Sequence, residues 1–253
     1  MKNFLKIFGE IELINSFRAI FIRKLDAICI SDLQLGYEQY LAEKGGIFLP
    51  RTQLKEIISE LKAIFRIKKP KKIIINGDLK HEFGEASSQE WFEVRKLVEY
   101  LRKKVDEIIL VRGNHDNYLL TIASHLGIEV FDPFYFEKGF CFLHGHKRIK
   151  YPKNVDFIII GHEQPSILLK EGFDKVKIPC LLYGTTKDNK KLICLPSFSP
   201  LASGSPINVI GKDEILSPIL REEADIDELK AIGLDKEAGP LELPKIKNIR
   251  IEL

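Results

Sequence analysis

The sequence predicts an α/β protein with a parallel sheet in its first half and a second sheet, mixed or antiparallel, in its second. Three observations carry this. Up to about residue 112, strand-like apolar runs alternate with segments of 3.6-residue periodicity. Beyond about residue 134 the apolar runs become short and closely spaced, with turn residues between them. Several of these runs end in an acid, an asparagine or a histidine, the usual position of functional groups in open α/β sheets.

In order, strands are expected at 18–23 (RAIFIR) and 26–30, followed by a helix over 50–67 with Leu54, Ile57, Ile58, Leu61 and Ile64 on one face. A strand at 72–76 (KIIIN), a helix over 86–103 and a strand at 107–112 complete this half. In the second helix the apolar face is Trp91, Val94, Leu97, Val98 and Leu101. Strand, helix, strand with short loops implies right-handed crossovers and therefore parallel strands. Runs at 134–143, 156–160, 166–169, 176–183 and 191–195 read as the second sheet. Residues 196–211, PSFSPLASGSPINVIG, read as a loop with one brief strand. From about 216 to 253 a tail carries a short helix near 225–233 and a last strand at 246–252, packed on the rest. With no repeat and no linker, residues 1–253 read as one domain.

Composition narrows the class. The chain has 253 residues, 45% hydrophobic and 30% charged, as expected of an ordered globular protein. A net charge of +3 permits an anionic substrate without demanding nucleic acid. Cys29, Cys141, Cys180 and Cys194 are far apart and form no CxxC pair. That suggests neither a zinc knuckle nor a thioredoxin-type site and reads as buried thiols in a reducing cytoplasm. No apolar run approaches the ~18 residues of a membrane span. Acids and polar breaks within residues 1–24 argue against a signal peptide. Plentiful Lys, Glu and Ile, with Met and Trp once each, lean towards a thermophile.

The chemistry lies at the strand ends. The runs are followed by Ser31-Asp32, Gly77-Asp78, Gly113-Asn114-His115-Asp116, His144-Gly145-His146 and Gly161-His162. Such ends converge on one crevice, and glycine lets the loops turn tightly beside an ion or phosphate. Two carboxylates, an amide oxygen and several imidazoles suit Mn, Fe, Zn or a similar divalent ion. One strand-end histidine has a ready structural explanation; five ligand-bearing ends together indicate a site.

Read together, SDLQLGYE, INGDLKHEFG, VRGNHD, LHGHK and IIGHEQP resemble the motifs of the calcineurin-like metallophosphoesterases. The resemblance extends to an archaeal subgroup related to the nuclease subunit of the double-strand-break repair complex, and spans roughly residues 18–220. It implies a four-layer α-β-β-α sandwich of two mixed sheets. It also implies hydrolysis of a phosphoester, whether phosphodiester, nucleotide or nucleic acid, by a hydroxide held between two divalent ions. Mn leads as the cofactor, with Mg, Fe, Ni or Zn as alternatives. Asp78 would bridge both ions, Asn114, His144 and His162 would complete the second, and Asp32 would belong to the first. Where the family has histidines for that first ion, this chain has Gln34 and Gln164. The expectation is one tightly held ion and a weak or empty first position. There the two amides either ligate through oxygen or hydrogen-bond each other or water.

In the same scheme His115 would protonate the leaving oxygen while Asp116 holds its tautomer. The other reading of that pair is a turn capping a helix that starts near Asn117. His81 and His146 are candidates for substrate phosphate contact or support of the ligands, against solvated loop histidines. His125 reads as a helix C-terminal residue without a catalytic role. The run from Lys68 to Lys72, at the far end of its strand, reads as a solvated face. Lys147, Arg148, Lys150 and Lys153 either attract a phosphate-bearing substrate or form a plain surface loop. The two glutamines also motivate a second functional reading, a catalytically weakened or inactive phosphate- or nucleotide-binding module on the same fold.

Overall fold

The computed structural model describes residues 4–172 and 174–251. Its first sheet has seven strands in sequence order: β1 (Phe4–Ile7), β2 (Ile11–Ile14), β3 (Ile20–Ile22), β4 (Ala27–Ile30), β5 (Lys72–Asn76), β6 (Glu107–Val111) and β7 (Val130–Phe131). β1 to β4 pair antiparallel and β4 to β7 pair parallel. The sheet expected to be parallel is therefore mixed, because a meander precedes the crossovers. Helices α1 (Tyr37–Gly45), α2 (Gln53–Ile67), α3 (Ser88–Leu101) and α4 (Leu119–Leu126) fall within the parallel half.

The second sheet holds β8 (Tyr135–Glu137), β9 (Phe140–Phe142), β10 (Phe157–Ile160), β11 (Pro165–Glu171), β12 (Asp174–Thr185), β13 (Lys191–Cys194) and β14 (Ser205–Pro206). They lie in the order β14-β11-β12-β13-β10-β9-β8, and β15 (Lys230–Asp235) and β16 (Gly239–Lys245) extend from β12. β10 is parallel to β9 and β13, so this sheet is mixed as well.

Period-two alternation divides the strands between layers. Ile28, Ile30, Ile73 and Ile75 pack on Ile57, Leu61 and Ile64 of α2 and Val94, Leu97 and Val98 of α3. Cys29, Ile74 and Ile109 face the other way, onto Phe140, Phe142, Ile159 and Ile193 of the second sheet. Ile158, Ile160, Leu182 and Leu192 face outward from the second sheet and are covered by Ile219, Leu220 and Ile226. The covering layer here is made of short turns, a π-helical turn at Ile219–Glu223 and 3-10 turns at Ile226–Glu228 and Ile246–Asn248. The four layers are thus helices, sheet, sheet and helical turns.

The tail differs from expectation. Asp225 accepts from the Asp227 amide and opens a single 3-10 turn in place of a helix over 225–233. Pairing with β12, Cys180 opposite Gly233, then draws the segment into β15. Residues 246–248 form a turn where a last strand was expected, the strand β16 lying before it. The single run at 134–143 is a hairpin, with positive φ at Lys138 and Gly139 in its tight turn.

Candidate metal centre

Five loops meet at one edge of the sandwich. Those after β4, β5 and β6 bring Asp32, Asp78 and the Asn114–Asp116 segment from the first sheet. Those after β9 and β10 bring His144 and His162 from the second. Backbone hydrogen bonds stitch the first two together: the amides of Asp32 and Gln34 donate to the carbonyls of Gly77 and Asp78 at 3.0 and 2.9 Å. Asp32, Gln34, Asp78, His162 and Gln164 all have φ between 49° and 64°. Left-handed backbone is uncommon outside glycine and gathers at functional sites, at roughly 1–3 kcal/mol per residue.

Asp32, Asp78 and His144 are buried, and each offers a ligand atom within 4.8 Å of the others. His144 Nε2 lies 3.0 Å from Asn114 Oδ1 and 3.3 Å from Asp78 Oδ2. The His162 ring centre is 5.0 Å from that of His144. The loops approach so closely that a Cβ on Gly113 would sit 2.1 Å from Asp78 Oδ1, and one on Gly161 1.8 Å from Ser31 Oγ.

Burial opposes ionisation of Asp78, but His144 and His115 outweigh it and hold the carboxyl well below its ordinary range. Burial likewise opposes a charge on His144, yet Asp78 and Asp32 raise its pKa to about 9. Asp32 is pushed up to about 6, first by burial, with Asp78 adding and His144 opposing. The two buried carboxylates thus draw a proton onto His144, a need that a cation would also meet. Burial, followed by the charge on His144, lowers His162 to about 3 and His146 to about 4. Both stay neutral, the form in which imidazole binds metal. The donor set of Asp78, Asn114, His144 and His162 fits a divalent ion.

The position beside Asp32 fits less well. Asp32 Oδ2 accepts from Ser31 Oγ at 2.6 Å and the His162 amide at 3.1 Å, and Oδ1 accepts from Gln164 Nε2 at 3.1 Å. Gln164 therefore spends a donor on the carboxylate and is not bonded to Gln34. Gln34 lines a pocket of about 370 Å³ with Tyr37, His162, Gln164, Ser203 and Ser205.

Asp116 is a correction. Its carboxylate does not hold His115: it accepts from the amides of Gly113, Leu79 and Lys80 at 2.8, 3.1 and 3.3 Å and fastens one loop to another. His115 Nδ1 is paired with the backbone carbonyl of His81. A carbonyl only accepts, so the proton sits on Nδ1 and Nε2 is the exchanging atom. That Nε2 is 3.8 Å from Asp78 Oδ2, and the Phe83 ring covers the imidazole at a centroid separation of 3.7 Å. The His81 ring packs on Tyr37 and Tyr40 with Nδ1 buried and, among the described residues, unpartnered, as is His146 Nδ1. His125 is the next-to-last residue of α4 and lies outside the site.

Sequence reasoning missed Glu90. Fully buried, it accepts from the amides of His81 and Glu82 at 3.0 and 2.8 Å and so fixes the peptide that holds His115. Its signal was the Ser87-x-x-Glu90 capping box of α3, which declares a helix start and nothing more. The basic cluster after His146 is partly neutralised: Lys147 pairs with Asp132 at 3.3 Å, and Arg148 with Glu222 and Glu223 at 3.0 and 3.1 Å.

No curated protein matches the chain. Among solved structures it is similar to nuclease MPE of Pseudomonas putida, with a TM-score of 0.64 at 17% identity over 94% of this chain and 98% of that one. It is also similar to Yfce, a phosphoesterase from E. coli, with a TM-score of 0.41 at 17% identity over 83% and 88% of the two chains. The first of these is a likeness of fold. The family model for calcineurin-like phosphoesterases matches residues 26–204, a span that opens one residue before β4 and takes in every loop of the centre. The chain belongs to the calcineurin-like phosphoesterase family.

Proposed function

We propose that the protein is a metal-dependent phosphodiesterase that holds one ion firmly and a second weakly. The observation that carries this is the convergence of Asp78, Asn114, His144 and His162 beside the exchanging nitrogen of His115. Those four residues would hold the firm ion, Mn in first place, with Mg, Fe, Ni or Zn as alternatives. When bound, such an ion supplies Lewis acidity towards a phosphoryl oxygen and lowers the pKa of water. The chain supplies the rest. His115 Nε2 carries the proton that the leaving oxygen needs, the His81 carbonyl keeps the tautomer, and Glu90 keeps that carbonyl in place. The pocket beside Gln34 and Gln164 gives room for the organic part of the ester.

The three donors on Asp32 support a weakened first position, and turning the Gln164 amide over would exchange its donor for an oxygen ligand. The same hydrogen bond favours the second reading, a module that binds phosphate or nucleotide without turnover. Likeness of the motifs to the archaeal repair-nuclease subgroup makes nucleic acid the first polymer to test. Four buried, unpaired cysteines support a reducing, cytoplasmic setting, and no helix among the described residues is long and apolar enough to cross a membrane. In the decisive experiment, Mn-supplemented protein hydrolyses a nitrophenyl phosphodiester and Asp78→Ala abolishes it. Turnover that survives Asp78→Ala sinks the assignment, and tight phosphate binding without turnover in the unmodified protein leaves the second reading.

A further inference from the structure

α2 and α3 both end near the N-terminal edge of the first sheet, before β5 and β6 begin and so on the far side of the strands from Asp78. Where they end lies a cleft of about 490 Å³. Lys62, Arg66 and Lys69 line it from the α2 side, Lys103 and Lys104 from the α3 side, and Phe65 and Tyr100 complete it. All five cations are exposed. Among the described residues none of them pairs with a carboxylate, and no acid lines the cleft.

Several basic residues elsewhere are matched by carboxylates, while others, such as Lys170 and Lys175, stand exposed and unmatched among the described residues. In the same sequence run Lys68 pairs with Glu12 at 2.9 Å, and Lys72 pairs with Glu107 and Glu137 at 2.9 and 2.6 Å. Those two are pinned ion pairs, not part of a solvated face. Lys147 and Arg148 beside the metal centre are matched, as are Lys245 and Lys247 by Glu228. A chain of net charge +3 thus collects five unmatched positive charges around one cleft. Helix C-termini favour cations by about 0.3–1 kcal/mol each, within the last turn only. Lys62 lies five residues before the end of α2, beyond that reach, and faces Arg66 at the repulsive i,i+4 spacing. Tyr100 adds a buried hydroxyl with no hydrogen-bond partner among the described residues.

We infer that this cleft binds the backbone of a single-stranded nucleic acid, at a place separate from the metal centre. Four lysines act as point charges and one arginine as a bidentate fork, and both kinds of group grip phosphates without reading bases. Phe65 is buried in the core behind the cations, and the half-buried Tyr100 offers the aromatic edge that single-strand sites use for stacking. A bilayer is too flat for a cleft. A cleft of about 490 Å³ cannot enclose a duplex. An acidic peptide would satisfy the charges but leave the half-buried Tyr100 edge unused, and competition by polyglutamate separates the two. The inference is independent of catalysis, since a chain without turnover would still bind here.

The test is fluorescence anisotropy of a labelled oligothymidylate with the full chain in EDTA, titrated from ~50 to ~200 mM salt. With about five phosphates neutralised at about −0.7 each, log affinity should fall against log salt with a slope near −3.5. Lys62→Glu with Arg66→Glu and Lys69→Glu should weaken binding at least ~10-fold and flatten the slope, as should Lys103→Gln with Lys104→Gln. The same charge change on the second sheet, Lys170→Glu with Lys175→Glu and Lys190→Glu, should leave affinity within a factor of ~2 of the unmodified chain. Nitrophenyl-diester hydrolysis and melting temperature should be unchanged in the cleft variants; if no protein hydrolyses the diester, melting alone verifies the fold and the binding result stands. Unaltered affinity in both cleft variants, an equal loss in the second-sheet variant, displacement by polyglutamate as readily as by oligonucleotide, or no binding at the lowest salt would each overturn the inference.

Discussion

His115 is set by backbone: its Nδ1 meets the His81 carbonyl, and its own amide donates to Asp78 Oδ1 at 3.0 Å. His115→Ala should therefore slow turnover by ~10²–10⁴ while changing metal affinity little, with the smaller loss on esters of good leaving groups. Paired measurements on nitrophenyl and alkyl diesters check this, and an equal loss on both would count against a proton-donating role. The first position is a question of donors. Gln34→His with Gln164→His replaces two neutral amides by imidazoles and frees Asp32 Oδ1 from its amide donor. Metal titration by calorimetry should then show a second ion at least ~10-fold tighter than in the unmodified chain and a preference moved towards Zn or Ni. The residues that meet at the centre were legible because each follows an apolar strand in the sequence. The partners of His115 were not, because a carbonyl has no residue type and Glu90 arrives from a helix nine positions beyond His81.

At the level of elements, the sequence announced those that carry an apolar stripe. α2 and α3 bury Ile57, Leu61, Ile64, Val94, Leu97 and Leu101, and their periodicity marked them. α1 escaped because YEQYLAEKG buries only Glu38, whose carboxylate accepts from the Thr52 and Gln53 amides at 2.6 and 2.8 Å. Its reason for existing is a tertiary polar contact with no periodic signature. The tail was misread because Ala231 and Ile232 are buried by pairing with β12, which local propensity cannot foresee. The loop elements are built as tightly as the strands. Gly113→Ala would drive a methyl into Asp78 Oδ1, so the loop after β6 must move away from the loop after β5. Metal binding should fall at least ~10-fold and the melting temperature should drop, overpacking costing about 1–3 kcal/mol. Calorimetry and circular dichroism decide, and a variant with unchanged affinity would show the loops to be slack.

Across the whole molecule, the centre couples metal, pH and packing. His144 has its pKa raised to about 9 in the metal-free chain, above its unfolded value of 6.5. Its contribution to stability is therefore fully present below about pH 6.5 and is lost as pH rises through 9. The melting temperature in EDTA should fall across that window, and Mn should abolish the fall, since a ligand imidazole is already neutral. A flat profile in EDTA would refute the assignment. The Asn76 side chain crosses the sandwich, donating to the carbonyls of Leu143 and Ile159 at 3.0 and 3.1 Å. These two contacts anchor the sheet that offers Asp78 and Asn114 against the sheet that offers His144 and His162. Asn76→Leu conserves volume and alters no ligand, yet it lets the two halves drift. Mn at ~100 times its Kd should raise the melting temperature of the unmodified chain by roughly 5–10 °C, and that rise should shrink markedly in Asn76→Leu. Bound metal then becomes a gauge of the gap between the sheets: a change that widens the sandwich anywhere along its length would register first as metal lost, before any strand has come apart.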